Sequence, residues 1–457
     1  MTKLTKITAS LGPNSQEHEI IKSMVVAGVS VCRLNFSHDT QSVQGEKFAR
    51  IRKISAELGR PVAIIADLQG PKHRIGDFET EDHYPIQPGD EFILDGDPTP
   101  GTARRVQLPD NDVLKSLQVG ERVLLNDGKI ELEVTAKKES AKGITVTTKI
   151  VRGTEIWSRR GFNLPDTMVD TDILTAKDRS DLEYALKKNP DFVAVSFVQK
   201  PEDIAVVRDF ITARTAHPVK IIAKIERPHA VEKIEEIIDV SDAIMVARGD
   251  LAVEMPFEKI PGITRALIRA CRRKNRPIIV ATQMLGSMVH SEFPLRAEIS
   301  DVATAAYLRA DSTMTSEETT VGDNPLVVVE TMAKILAAAD EDATANPYDW
   351  QRVDNTPEND WSRSVASMAH LNHATAIVVF DRDGDATRGI SCRRPDMPII
   401  AVCNSDVVAN QLTLSRGVYP IFDARMFGQR DTAAALARFK IAPGKTVIVD
   451  EDSIMLN

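Results

Sequence analysis

In the string Lys224-Ile-Glu226 an ammonium and a carboxylate alternate, and an extended strand places residues two apart on one side. Asp250, within Arg248-Gly-Asp250, supplies a second carboxylate. Two hard carboxylate oxygens with open positions suit Mg2+ or Mn2+ held jointly by protein and substrate. Their plain alternative is a pair of solvated or ion-paired acids. A lysine between them is either a structural counter-ion or a fixed positive charge for a migrating phosphoryl group. Arg33, which opens Arg33-Leu-Asn-Phe-Ser-His38, can grip a phosphate with its guanidinium fork or close a salt bridge at a strand end. Asn35 and Ser37 have the competing role of capping the next helix. Gly249 lets a backbone N–H approach an anion closely, although a lone glycine carries little weight.

Residues so far apart in sequence need a frame that gathers them. Short β-branched runs alternate with amphipathic stretches from residue 4 onward, the signature of βα units around a parallel sheet. Eight runs read as strands: 6–11, 29–36, 61–68, 192–197, 220–226, 243–248, 277–283 and 311–315. Eight such units imply a closed (β/α)8 TIM-type barrel, whose functional residues collect just beyond the carboxyl ends of the strands. The strings above fall there, as do Asp67-Leu-Gln-Gly-Pro-Lys72 after the third strand and Thr282-Gln283 after the seventh.

Between Ile75 and Trp157 the pattern changes to period-two alternation, with Ile130, Leu132 and Val134 set against Glu131, Glu133 and Thr135 after the turn Asn126-Asp-Gly128. This predicts an inserted β-rich domain, placed where it can act as a lid. Asp340 to Pro347 reads as a polar linker, and strands at 376–380, 399–403, 418–422 and 446–449 predict a C-terminal open α/β domain. The expected division is residues 1–75 and 158–340 for the barrel, 76–157 for the lid and 341–457 for the C-terminal domain.

Bulk properties narrow the function classes. At 457 residues, 42% hydrophobic and 27% charged, the composition is that of a folded multidomain chain. A formal net charge of -9 argues against a nucleic-acid partner, which needs a basic field. The cysteines Cys32, Cys271, Cys392 and Cys403 are widely spaced, without a zinc pattern, and read as reduced thiols. No apolar run reaches the roughly 18 residues that span a bilayer, so the expectation is a cytoplasmic protein with no membrane partner.

Three strings in order, Arg33-Leu-Asn-Phe-Ser-His38, Ile244-Met-Val-Ala-Arg-Gly-Asp-Leu251 and Ala281-Thr-Gln-Met-Leu-Gly-Ser-Met288, resemble the pyruvate kinase family. The resemblance implies transfer of the phosphoryl group of phosphoenolpyruvate to ADP through a metal-stabilised enolate, giving pyruvate and ATP at the end of glycolysis. It implies that Glu226 and Asp250 bind Mg2+, with Mn2+ an alternative, and that a second Mg2+ arrives with ADP. Lys224 then stabilises the transferring group and the enolate, and Arg33 holds the substrate phosphate. The backbone at Gly249 and Asp250, with the Thr282 hydroxyl, binds the substrate carboxylate, and protonation of the enolate takes place near Thr282. His38, Arg74 and Lys200 fall where the family contacts the nucleotide. A homotetramer is also implied.

Departures from the family pattern carry further expectations. Pro294-Leu-Arg-Ala-Glu298 replaces the usual Pro-Thr-Arg-Ala-Glu, and Thr315-Ser-Glu-Glu318 has an acid, Glu317, where glycine is usual. Potassium-dependent relatives read Asp-Thr-Lys-Gly-Pro-Glu-Ile-Arg-Thr where this chain has Asp67-Leu-Gln-Gly-Pro-Lys-His-Arg-Ile75. Asn35, Ser37 and Asp67 of the monovalent-cation region remain, but Leu68 removes a hydroxyl and Lys72 reverses a charge. K+ is therefore expected to be dispensable. The family's sugar-bisphosphate loop corresponds to Phe380-Asp-Arg-Asp-Gly-Asp-Ala-Thr-Arg388, whose aspartates repel phosphate. Two rival readings are an aldolase that forms enolpyruvate on a metal and a silent homologue retained as a metabolite sensor. The first needs neither the inserted domain nor Arg74 and Lys200, and the second predicts loss of Lys224, Glu226 or Asp250.

Overall fold

The computed structural model describes residues 3–80, 83–141, 143–169, 171–345, 360–442, 444–450 and 453–457. Eight strands close into a parallel barrel: Lys6–Ser10, Val29–Asn35, Ala63–Asp67, Phe192–Val195, Lys220–Ile225, Ala243–Ala247, Ile278–Ala281 and Ser312–Thr315. Each pairs with its neighbour in sequence, and the first pairs with the eighth through Lys6 and Ser312. The strands are buried on both faces, which is why they read as continuous apolar runs.

Side-chain parity divides those runs. Val31, Ile65, Ala194, Ile222, Met245 and Ile279 fill the barrel interior, capped from the C-terminal domain by Leu414. The alternate set, including Cys32, Ile64, Val193, Ala223 and Ile244, packs against the helices. Extending the interior parity to the strand ends predicts which polar residues look into the mouth: Arg33, Asp67, Ser196, Lys224 and Glu226.

The helix Gln41–Leu58 after the second strand is N-capped by Thr40, whose Oγ1 accepts from the Val43 N–H at 3.4 Å. The caps considered for this helix were Asn35 and Ser37. They form a local turn instead, the Ser37 N–H donating to Asn35 Oδ1 at 3.1 Å. Helix Ile260–Arg273 buries Ile260, Leu267, Ile268 and Cys271 at helical spacing and is preceded by the single turn Phe257–Lys259.

The inserted segment builds a six-stranded sheet around the hairpin of Ile130–Ser140 and Gly143–Arg152. Asn126 and Asp127, at φ 51° and 52°, make the left-handed turn that joins Arg122–Leu125 to the hairpin. The core of the insert also takes in Phe162, Leu164 and Val169, beyond the Trp157 boundary read from alternation. The returning strand Phe162–Asn163 has two residues and is too short to show a period. The connections to the barrel run side by side, with Ile75 N–H donating to Arg160 O at 3.0 Å and Arg159 N–H to Gly76 O at 3.2 Å.

The stretch read as a linker from Asp340 continues the helix Pro325–Ala345, and Asn346 and Pro347 lie outside the described residues. Asp340 is buried because its carboxylate accepts from the Leu4 and Thr5 N–H groups, both at 2.8 Å, and pairs with Arg416 at 2.7 Å. The C-terminal sheet runs Val418–Phe422, Ile399–Cys403, Ala376–Asp381, Thr446–Asp450, Ser453–Leu456, parallel except for the last strand.

Candidate active site

Three barrel strands, the second, third and fifth, deliver charge to one end of the barrel. Arg33 Nε donates to Asp67 Oδ2 at 2.5 Å, and a second guanidinium nitrogen donates to Ser10 Oγ at 2.9 Å. Lys224 Nζ lies 3.3 Å from Asp67 Oδ1, 3.0 Å from Glu226 Oε1 and 2.7 Å from Ser196 Oγ. The Ser196 hydroxyl donates its own hydrogen bond to Leu68 O at 2.7 Å, so its oxygen is fixed as an acceptor for the ammonium. The Phe197 N–H donates to Glu226 Oε2 at 2.7 Å.

The charges set one another. Burial disfavours ionised Asp67, but Lys224 and Arg33 outweigh it and hold its pKa below the usual range. Burial likewise opposes the Lys224 ammonium, and Asp67 and Glu226 together reverse the sign, raising its pKa. Glu226 goes the other way: burial raises its pKa, and the neighbouring Asp250 adds to that against the pull of Lys224. Two acids that repel each other beside a single lysine make a place where an added cation relieves strain. Among the described residues no group of three or more His, Cys, Asp or Glu side chains is placed to hold a metal ion, so Glu226 and Asp250 would leave most of the coordination sphere to water and substrate.

The ends of the sixth and seventh strands meet through Thr282. Its Oγ1 accepts the Gly249 N–H at 2.7 Å and donates to Ala281 O at 2.7 Å. A methyl group on Gly249 would sit 3.4 Å from Thr282 Oγ1 and 3.5 Å from its Cβ, ordinary contact distances, so this approach does not itself require glycine. Thr282 holds φ 69° and Phe197 φ 59°, costly for a β-branched and an aromatic residue, and such strain concentrates at functional sites.

Arg248, two residues before Asp250, belongs to the frame. Its guanidinium forks onto Asp301 at 2.7 Å through both terminal nitrogens and donates to Ala281 O and Thr282 O at 3.2 and 2.8 Å. Glu298 receives the Ser287 and Leu295 N–H groups at 2.7 and 2.8 Å, and Glu318 receives those of Leu285 and Ser316 at 3.1 and 2.6 Å. The retained acids of the two altered motifs thus brace loops, while the departures Leu295 and Glu317 are exposed.

The remaining expected positions lie further out. His38, Lys72 and Arg74 are exposed and Lys200 is half-buried. Arg74 donates to Arg159 O at 3.1 Å, and the Lys72 stem passes 3.5 Å from where a Gly161 Cβ would be. Ser196 and Ser10 were missed in the sequence. Ser196 had a signal, because it continues the inward parity of Phe192 and Ala194. The role of Asp67 as counter-ion to both Arg33 and Lys224 joins the adjacent second strand to the fifth, which stands one strand further on across the fourth.

A closed parallel barrel with an inserted β domain and a lysine held between carboxylates at its carboxyl end defines a (β/α)8 enzyme of the phosphoryl-transfer or enolate type. Comparison with known proteins narrows the class. The family model described as the pyruvate kinase barrel domain matches residues 2–329, and that of the pyruvate kinase alpha/beta domain matches residues 359–456. A pyruvate kinase of Methylorubrum extorquens is 39% identical over 96% of this chain and 91% of its own. One of Clostridium acetobutylicum is 35% identical over 93% and 90%. The crystal structure of a pyruvate kinase from Cryptosporidium parvum superposes with a TM-score of 0.92 at 30% identity, covering 100% of this chain and 96% of the other. The chain belongs to the pyruvate kinase family and is a phosphotransferase.

Proposed function

We infer that the chain transfers the phosphoryl group of phosphoenolpyruvate to ADP, and that Lys224 is the residue on which the transfer turns. The observation that carries this reading is the placement of Lys224 between Asp67 and Glu226, charged and aimed at the barrel mouth. A fixed ammonium there favours negative charge on the migrating group and on the enolate left behind. Arg33, oriented by Asp67 and Ser10, takes the substrate phosphate with its fork. Thr282 Oγ1 and the Gly249 N–H, already hydrogen-bonded to each other, turn to the substrate carboxylate together with the Asp250 backbone. Enolate protonation belongs beside Thr282, through water.

Glu226 and Asp250 are the assigned ligands for Mg2+ or Mn2+, as two carboxylates at the ends of neighbouring strands with positions left for water and substrate. The divalent cation, when bound, supplies Lewis-acid stabilisation of developing charge. His38, Arg74 and Lys200 are assigned to the nucleotide, whose diphosphate brings the second Mg2+. The partners are phosphoenolpyruvate and ADP. Cytoplasmic location and a homotetramer are part of this proposal, supported by the family assignment, and no helix among the described residues is long and apolar enough to cross a membrane. An aldolase reading lacks a use for the inserted domain. A silent homologue is disfavoured by the intact Lys224, Glu226 and Asp250.

The reading extends to potassium independence. Leu68 is packed in the core where relatives that need K+ carry a hydroxyl, and Asp67 is already flanked by Arg33 and Lys224. Lys72 stands on the exposed loop beside Gly161, so any electrostatic replacement of the ion by its ammonium requires that loop to move inward. A coupled assay for pyruvate, with and without chelator, tests the reaction. Repeating it in tetramethylammonium buffer with and without KCl tests the second point, and activation of about tenfold or more by K+, the size of effect a lost ion-binding charge would carry, sinks it.

A further inference from the structure

The short helix Arg248–Glu254 carries Gly249 and Asp250 at its start and a buried acid at its end. Glu254 is 3% exposed, and its Oε1 accepts from Asn163 Nδ2 at 2.9 Å. Asn163 lies on the strand by which the inserted domain returns to the barrel, opposite Leu124. The turn after Leu125 also comes near the same helix end, since a Cβ added at Gly128 would stand 3.5 Å from Val253 Cγ1. The inserted domain therefore rests on the far end of the very helix that presents Asp250. Seven helical residues span about 10 Å as a rigid rod, so a shift at Glu254 is felt at Asp250.

We propose that Glu254 is a positioning residue, which through Asn163 ties the helix bearing Asp250 to the inserted domain and so couples the stance of the lid to the metal-binding carboxylate. The inference rests on the assignment of Asp250 as a ligand. It explains why a carboxylate is buried at a point where burial raises its pKa, with Arg227 and Asn163 only partly offsetting that. An apolar residue would pack there at lower cost, but it would leave the lid and the helix unconnected.

Charge and bond can be separated. Glu254→Gln removes the charge and keeps an acceptor for Asn163, whereas Asn163→Ala keeps the charge and removes the bond. The readout is Mn2+ binding to the full chain by water-proton relaxation, with the Mg2+ half-saturation of turnover measured alongside. The expected result is that N163A and E254A each weaken Mn2+ binding by about tenfold, that the double variant is no worse than either alone, and that E254Q stays within about twofold of the native protein. The proposal is overturned if E254Q matches E254A while N163A binds normally, which would make the effect one of charge, or if all three bind normally. Should E254A fail to fold, N163A against E254Q decides alone. Failure of the underlying assignment shows separately, as Asp250→Asn binding Mn2+ like the native protein.

Discussion

At the carboxyl ends of the barrel strands Lys224 stands between Asp67 and Glu226 at 3.3 and 3.0 Å, with the acids still short of charge balance once Asp250 is counted. At the amino ends the acids are closed off. Asp311, one residue before the eighth strand, takes both terminal nitrogens of Arg394 at 2.9 and 2.6 Å, the Arg416 N–H at 2.9 Å and the Ile278 N–H of the seventh strand at 3.1 Å. The arrangement repeats. Asp191 before the fourth strand accepts the Ile64 N–H at 2.7 Å and Arg52 at 2.9 Å, and Asp242 before the sixth accepts the Ile221 N–H at 2.9 Å and Arg208 at 3.0 Å. In each case the acid satisfies a strand-start donor on the neighbouring strand and pairs with an arginine from beyond the ring of strands, Asp191 least completely, since burial still outweighs its partners. Saturated acids hold a fold together, and unsaturated ones are available for chemistry.

The largest effect should come from breaking the unsaturated end. Lys224→Met is expected to lower kcat by roughly three or more orders of magnitude, the scale of removing one key electrostatic group. The variant should keep its far-UV circular dichroism, since Arg33 still faces Asp67. Near-normal turnover in a folded variant would make the lysine structural and erase the contrast between the two ends.

The converse substitution is Asp311→Ala. Removing one partner of a buried pair strands Arg394, whose own pKa is lifted by Asp311 against the cost of burial, and such losses run to about 3–5 kcal/mol. Urea denaturation should show that loss, while kcat of the folded fraction at 25 °C stays within about threefold, as for a change remote from the site. A collapse of kcat without loss of stability would mean that the amino end reaches the chemistry.

How much of this contrast is legible in the sequence depends on how far its residues are separated. The barrel follows from eight apolar runs, and the pair Lys224 and Glu226 from one strand's parity. Asp67 could be placed at a strand end but not between Arg33 and Lys224, because the third and fifth strands approach one another only through a fourth that begins at Phe192, beyond the insert. The role of Asp340 was hidden for a related reason. In a run of acids and alanines it reads as linker, and its partners at Leu4, Thr5 and Arg416 are remote in the chain. Parity gives no guide to Arg248, because it ends where a strand gives way to a helix, and the side chain turns to Asp301.

A milder perturbation sharpens the comparison through pH. Burial raises the Asp191 pKa to about 6, with Arg52 and the Ile64 N–H pulling against it. A carboxyl that holds its proton more tightly folded than unfolded favours the native state at low pH. That contribution is lost as pH rises from the unfolded value near 4 through about 6. Asp191→Asn, which keeps an acceptor for Ile64, should therefore gain on the native protein by on the order of 2 kcal/mol between pH 4 and 7. Parallel stability curves for the two proteins across that range would show that Arg52 compensates Asp191 fully.

The smallest expected effect is a null, and it carries the same principle into the C-terminal domain. In the loop after Ala376–Asp381 the buried Asp381 carboxylate accepts the Gly384 N–H at 2.9 Å and the Thr387 N–H at 2.8 Å. These backbone donors, at a left-handed glycine and the start of the helix Asp385–Cys392, are the kind that hold a phosphate in anion-binding loops. Here an internal acid saturates them, and Arg388 is turned onto Asp385. A sugar bisphosphate would have to displace one carboxylate and approach Asp383 and Asp385 as well, with Arg388 already engaged by Asp385. Adding fructose 1,6-bisphosphate should leave the phosphoenolpyruvate half-saturation within about twofold, a change of less than 0.5 kcal/mol in coupling. A clear leftward shift of the saturation curve would mean either that this loop opens to exchange Asp381 for the ligand or that the bisphosphate acts elsewhere. Asp381→Asn separates the two, because only a ligand that competes with the Asp381 carboxylate for its donors gains affinity when that charge is removed.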